Sequence, residues 1–380
     1  MNKTSTTSHP VMVPAAKIDF DPSQRQWIAD RIQEALESGQ LTMGKYGEEF
    51  ERNFSKLCGS KHAIAVSSGT AALEIIFRSL DAEDKDVLVP TNTNFATVAA
   101  IIRAGGKPIL MDTDAETFGT HPDELKRRIT SSTAGIAIVH IGGIVSPHMQ
   151  DIVKFANEHG LWLIEDAAHA HGSSYAGTNA GTFGRAGAFS FFPTKVMTSA
   201  EGGMIVTDDD VILEESRIYR DQGKGSYSQN VHVRMGLNWR LSEPHAIIGV
   251  SHLKSLGNMI KRRQEIAKIY DQELAGLNAL QLVKIPEQGV CNYYKYIVLL
   301  KDKIDKNAYK QRLRNEFGVA LTGEVYDVPI HRQPVFEYLS SYPLPVADDV
   351  CARHLCLPVF GSMTDHQAML VVNALRQTLV

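Results

Sequence analysis

LWLIEDAAHAHGSSYAGTNAGTFGRAGAFSFFPTKVMTSAEGGMIVTD, residues 161–208, sets how the rest of the chain is read. It holds three short apolar runs, LWLIEDA (161–167), AGAFSFF (186–192) and GGMIVTD (202–208), separated by polar and glycine-rich sequence. Apolar runs of this length, bounded by turn residues, predict strands buried on both faces. Four more precede them: HAIAVSS (62–68), DVLVPT (86–91), PILMDT (108–113) and GIAIVHI (135–141). Helical patterns over Thr70–Leu80, Phe95–Ala104 and Pro147–His159 fall between the runs. This alternation predicts an α/β fold with a mostly parallel seven-stranded sheet and helices on both faces.

Beyond about residue 245 the pattern changes to long charged helices, as in His252–Leu274, then YYKYIVLL (293–300) and a helix over Lys306–Phe317. A smaller C-terminal α+β domain follows from that change. The division is an N-terminal arm at 1–17, polar and rich in Ser and Thr over its first dozen residues, a large domain at 18–250 and a small one at 251–380.

Composition narrows the partners. The 380 residues are 43% hydrophobic and 22% charged, the profile of an ordinary globular protein. The 39 basic and 43 acidic residues are interleaved, with a net charge of −4, so no basic face suits nucleic acid. Cys58, Cys291, Cys351 and Cys356 are scattered without a C-x-x-C pair, which predicts reduced, buried thiols. No run approaches the ~20 apolar residues of a membrane span, and MNKTSTTSHP lacks a signal-peptide core, so a cytoplasmic location is expected.

In open α/β sheets ligands bind beyond the carboxyl ends of the strands. Those ends read SSGT, PTNTNF, DTD, HIGG, EDAAHAH, FFPTK and EGG. SSGTAAL (67–73) places glycine between a strand and a helix, either a phosphate cup made of helix N–H groups or a routine cap. Phe95 follows the second strand, where an aromatic stacks on a heteroaromatic ring or joins the core of the next helix. Asp166 ends the fifth strand, where a carboxylate is costly without a partner, and a protonated pyridine nitrogen is such a partner. A metal held by His140, His169, His171 and Asp166 is the competing reading, although the spacing is not characteristic. Lys195 sits just beyond the sixth strand behind Pro193, either a surface lysine or a desolvated amine able to form an imine. Phosphate cup, stacking ring, nitrogen partner and imine lysine, in that order, describe one pyridoxal-phosphate crevice.

SSGTAAL, EDAAHAHGS, FSFFPTK, EGGMIVT and GLNWRLSEPHA together resemble the DegT/DnrJ/EryC1/StrS family of aminotransferases that act on nucleotide-linked keto sugars. The likeness runs from about residue 18 onward. It implies the aspartate-aminotransferase-like architecture called fold type I, with pyridoxal 5'-phosphate as cofactor and pyridoxamine 5'-phosphate as its amine-carrying form. It further implies Asp166 on the pyridine nitrogen, Lys195 as the Schiff-base lysine, and Gly69, Thr70 and Ser190 around the phosphate. Asn238 of GLNWR is implied to reach the cofactor of a neighbouring subunit, making a homodimer with shared active sites. Tyr326 and His331 in GEVYDVPIHRQP fall in a segment that approaches the sugar nucleotide in relatives, and L-glutamate is the expected amino donor.

Two departures from the family pattern stand out. His169 occupies a position near the cofactor's phenolic oxygen where many members carry glutamine, and HIGGIVSP (140–147) replaces the more usual tyrosine-glycine version. A dehydratase branch of the family has histidine in place of the lysine, so Lys195 argues for transamination. Another fold type I activity and a non-catalytic, cofactor-binding regulator remain as alternatives.

Overall fold

Seven strands form the main sheet: β1 (His62–Val66), β2 (Asp86–Pro90), β3 (Lys107–Met111), β4 (Thr133–Val139), β5 (Trp162–Asp166), β6 (Ala186–Ser190) and β7 (Gly203–Thr207). They come from a computed structural model that describes residues 12–226, 229–321, 323–339 and 341–379. Their spatial order is β1-β7-β6-β5-β4-β2-β3. Only β7 runs against its neighbours, pairing antiparallel with β1 and β6, while β5–β6, β4–β5, β2–β4 and β2–β3 are parallel. The mostly parallel sheet expected from the run pattern is therefore present.

Because both faces are covered, the strands are nearly all apolar, and alternate residues enter different cores. In β1, Ala63 and Ala65 face one core while Ile64 and Val66 face the other. The first core is closed by α1 (Pro22–Ser38), α2 (Lys45–Cys58), α5 (Pro122–Arg128) and α6 (Met149–Glu158). The second is closed by α3 (Gly69–Ser79), α4 (Phe95–Arg103) and α7 (Asp210–Arg220). The start of α1 follows local rules, with Asp21 and Gln24 forming a capping box around Pro22 and Gly39 ending the helix at φ 71°.

A single helix, α8 (Glu243–Leu274), runs 32 residues and joins two cores. Ala246, Ile247 and Val250 pack on the first sheet core. Ile266, Ala267, Tyr270 and Leu274 pack on a separate core under a three-stranded sheet of β8 (Leu280–Leu282), β9 (Tyr296–Leu300) and β10 (His354–Leu357). That core also takes α9 (Lys306–Phe317) and α11 (Asp365–Thr378), while α10 (Pro345–Arg353) precedes β10. Of the arm read over 1–17, residues 1–11 lie outside the described residues; Val13 is fully buried in the core under the three-stranded sheet and bridges to Val319. Among the described residues the four cysteines are buried and form no disulfide, and no helix is long and apolar enough to cross a membrane.

One close approach fixes the turn below the crevice. A Cβ on Gly203, the first residue of β7, would stand 2.3 Å from the Ser68 carbonyl oxygen and 2.7 Å from the Gly69 nitrogen. The backbone of the β1–α3 turn cannot retreat without losing its strand pairing. Gly203→Ala is therefore expected to destabilise the protein by about 2 kcal/mol, in the range for overpacked sites. Denaturant titration checks this, and an unchanged midpoint would show that the turn yields.

Candidate active site

The carboxyl ends of β1, β5 and β6 and the starts of α3 and α4 enclose a cavity of about 250 Å³. At its base Ser68 caps α3 by accepting the Ala71 N–H at 3.1 Å. Gly69 and Thr70 line the cavity with N–H groups that precede the first intrahelical bond, the arrangement that holds an anion. A Cβ on Gly69 would lie 2.9 Å from the Ser190 Cβ, so glycine is what lets the turn sit against β6. Ser190 lines the same cavity.

Asp166 stands at the end of β5 and is buried. Its Oδ2 accepts from the Thr97 hydroxyl at 2.7 Å and its Oδ1 from the Ala168 N–H at 3.1 Å. Burial pushes its carboxyl above the usual range, while those two hydrogen bonds and the Lys195 charge pull it back. A cationic group placed opposite would restore the ionised form. The adjacent carboxylate has a different job. Glu165 points to the other face, where it accepts from the N–H groups of Gly181, Phe183 and Gly184 and pairs with His140 at 2.8 Å. That bond takes His140 away from the cavity, and His171 is packed among the rings of Phe54, Phe189 and Phe191. The metal set considered from sequence does not converge.

Lys195 follows the turn closed by its N–H to the Phe192 carbonyl at 2.9 Å. As a whole residue it is partly open, yet enough protein surrounds the ammonium to lower its pKa to about 8. Desolvation is the main cause, with Asp166 opposing it and Lys295 adding to it. Its Nζ lies 5.0 Å from the centre of the Tyr294 ring and forms no ion pair among the described residues.

His169 is buried in the wall, stacked on Tyr294 with ring centres 4.3 Å apart. Burial holds its pKa well below the ordinary value, with the lysines 195 and 295 acting in the same direction. The Gly142 N–H donates to Nδ1 at 3.3 Å, which assigns the proton of the neutral ring to Nε2, 3.5 Å from the Tyr326 hydroxyl. The two departures from the family pattern thus meet in one hydrogen bond. Gly143, at φ 93°, leaves no room for a side chain, since its Cβ would be 2.1 Å from Asn292 Oδ1. Asn292 in turn donates to the carbonyls of His169 and His171, both at 2.9 Å.

The remaining sequence-selected residues divide. Tyr326 lines the cavity. Phe95 does not: it is the first residue of α4, exposed and stacked on Phe336 at 5.2 Å, and the wall is made by Asn94 and Ala96. His331 is buried away from the cavity, with Nδ1 on Thr91 at 2.8 Å and Nε2 on Asp348 at 3.0 Å. Asn238 is exposed and outside the cavity, although the next residue, Trp239, accepts the Ser67 N–H at 2.7 Å. Sequence reading passed over Thr97, Asn94 and Tyr294. A threonine in the first turn of α4 with Thr93 beside it, 2.8 Å between hydroxyls, is a faint signal for a carboxylate orienter.

A lysine of lowered pKa and a buried carboxylate share one cavity with a helix N-terminus, all at strand carboxyl ends. This fold and site are those of a fold type I pyridoxal-phosphate enzyme. The chain belongs to the DegT/DnrJ/EryC1/StrS aminotransferase family, whose model matches residues 22–376. It is a pyridoxal-phosphate-dependent aminotransferase. GDP-perosamine synthase of Vibrio cholerae is 31% identical over 369 residues, covering 96% of this chain and 98% of that protein. DesV of S. venezuelae superposes with a TM-score of 0.89 at 29% identity, covering 97% of this chain and 98% of that one. NtdA of Bacillus subtilis, solved with bound cofactor PMP, gives 0.89 at 26% identity, covering 98% of this chain and 86% of that one.

Proposed function

We propose that the protein moves an amino group from an amino acid, L-glutamate foremost, to a nucleotide-linked keto-deoxy sugar. The product would be an amino sugar for a surface polysaccharide or a glycosylated natural product, made in the cytoplasm. The observation that carries this reading is the shared cavity of Asp166 and Lys195 in a chain that resembles GDP-perosamine synthase over nearly its whole length.

The cofactor, when bound, supplies an electron sink and a carrier for the amine. Asp166 holds negative charge for the ring nitrogen, and Thr97 and the Ala168 N–H keep that carboxylate oriented. Gly69, Thr70 and Ser190 would take the phosphate, and His169 would donate from Nε2. Lys195, with its pKa lowered to about 8, can hold or give up a proton near neutral pH, as a group that moves protons between donor and acceptor must. Tyr326 lines the same cavity from the segment between α9 and α10 and is the candidate for substrate contact. The test is a panel of nucleotide-linked keto sugars with L-glutamate, read by product mass and the position of the new amine. Failure of glutamate to convert the bound cofactor to its amine form would remove glutamate as donor.

A homodimer with shared sites belongs to the same reading. Val231, Val233, Met235 and Leu237 alternate along the segment that leads to Asn238 and are exposed among the described residues. Mixing Lys195→Ala with Asn238→Asp subunits gives the expected outcome. A mixed dimer holds one site with both lesions and one with neither, so statistical exchange restores about a quarter of the sites. No recovery after demonstrated exchange would place Asn238 in its own subunit's site or in none.

A further inference from the structure

We infer that Asp114, His121 and His148 form a binding site for a divalent transition ion of the zinc class, away from the cavity just described. One donor atom from each residue lies within 4.8 Å of the other two. Bonds of about 2.0–2.2 Å in a tetrahedral zinc site put donors roughly 3.3 Å apart, so small rotations of these side chains complete the set. Two imidazoles and one carboxylate are a donor set that zinc prefers, and three protein ligands leave a fourth position for water.

The surroundings orient the donors. Asp114 Oδ1 accepts from the N–H groups of Glu116 at 3.0 Å and Thr117 at 2.7 Å, and from the Thr117 hydroxyl at 2.9 Å. Its Oδ2 has no hydrogen bond among the described residues, so a stiffly held carboxylate keeps one oxygen for a ligand. The His121 and His148 rings meet edge to face with centres 4.7 Å apart. All three residues are half-buried, open enough for an ion to enter. Thr117 and Pro147, neighbours of the set, line a separate surface cavity of about 620 Å³.

The position gives such an ion a mechanical role. Asp114 and His121 lie on the loop after β3, and His148 lies on the turn from β4 into α6. β2 separates β3 and β4 in the sheet, so the ion would tie two loops across its end. The β4 loop also carries Gly142, which holds His169. Ion binding would therefore stiffen the wall of the active site without touching it.

The test uses tag-free holoenzyme, stripped with chelator, dialysed against buffered zinc and assayed for metal per chain. About one zinc per chain is expected, with the midpoint of thermal unfolding raised. His148 starts α6 without a side-chain cap bond, so His148→Ala leaves the helix start intact. That variant and Asp114→Asn are each expected to weaken zinc binding at least ~10-fold, the scale at which metal sites respond to lost support. His62→Ala, on a surface pair with Asp210, should bind as the wild type does. No zinc on the wild type, or wild-type affinity in either ligand variant, overturns the assignment.

Discussion

Lys195→Ala is expected to reduce transamination by ~10⁴-fold or more, since proton transfer by a positioned group alone contributes ~10²–10⁴. The variant should still fold, because Lys195 makes no ion pair among the described residues and its turn is held by the backbone bond to Phe192. Borohydride treatment of the wild type followed by peptide mapping should place the cofactor on Lys195, and the variant should retain none covalently. Cofactor found on Lys295, the other lysine near Tyr294, would reassign the roles.

The same lysine sets a pH dependence with a definite sign. The neutral amine is the nucleophile, and burial lowers the pKa to about 8 from an ordinary value near 10.4. The rate at which stripped protein recaptures the cofactor should rise about tenfold per pH unit below 8 and flatten above it. A rate still climbing steeply at pH 10 would mean that the amine is as basic as one in water.

These two expectations start from a residue that stands out in the sequence, and other parts of the site do not. The seven strands and their polar ends are legible because a sheet covered on both faces leaves unbroken apolar runs. The helix read over Lys306–Phe317 has those limits in the structure, fixed by the Asp305 cap and Gly318 at φ 65°. The run HAIAVSS overshot β1 because Ser68 belongs to the cap of α3. The pairing of Phe95 with Phe336 was not legible, since α4 starts at Phe95 and turns its ring outward, leaving the wall to Asn94. The resemblance puts His331 beside the sugar nucleotide, but its partners Thr91 and Asp348 come from distant segments that only the fold brings together. Nor could spacing show that HIGG and His169, each unusual alone, share one hydrogen bond.

Asp166→Asn is expected to lower turnover at least ~100-fold while weakening cofactor binding much less. The amide has nearly the shape of the carboxylate, and one of its two atoms still accepts a hydrogen bond. The Thr97 hydroxyl can turn to Thr93, 2.8 Å away, if its first acceptor is lost, so the local network survives. What the amide lacks is charge. Burial already presses the Asp166 carboxyl toward its neutral form, and only positive charge opposite keeps it ionised. A neutral side chain there cannot hold a proton on the ring nitrogen, so the ring accepts electrons poorly while its phosphate stays anchored at Gly69 and Thr70. Rapid mixing with amino donor separates the two effects: the rate of the first half-reaction should collapse and the cofactor Kd should move only slightly. Near-normal turnover would show that Asp166 is a structural carboxylate held by Thr97 and the Ala168 N–H, and the nitrogen partner would have to be sought elsewhere on the wall.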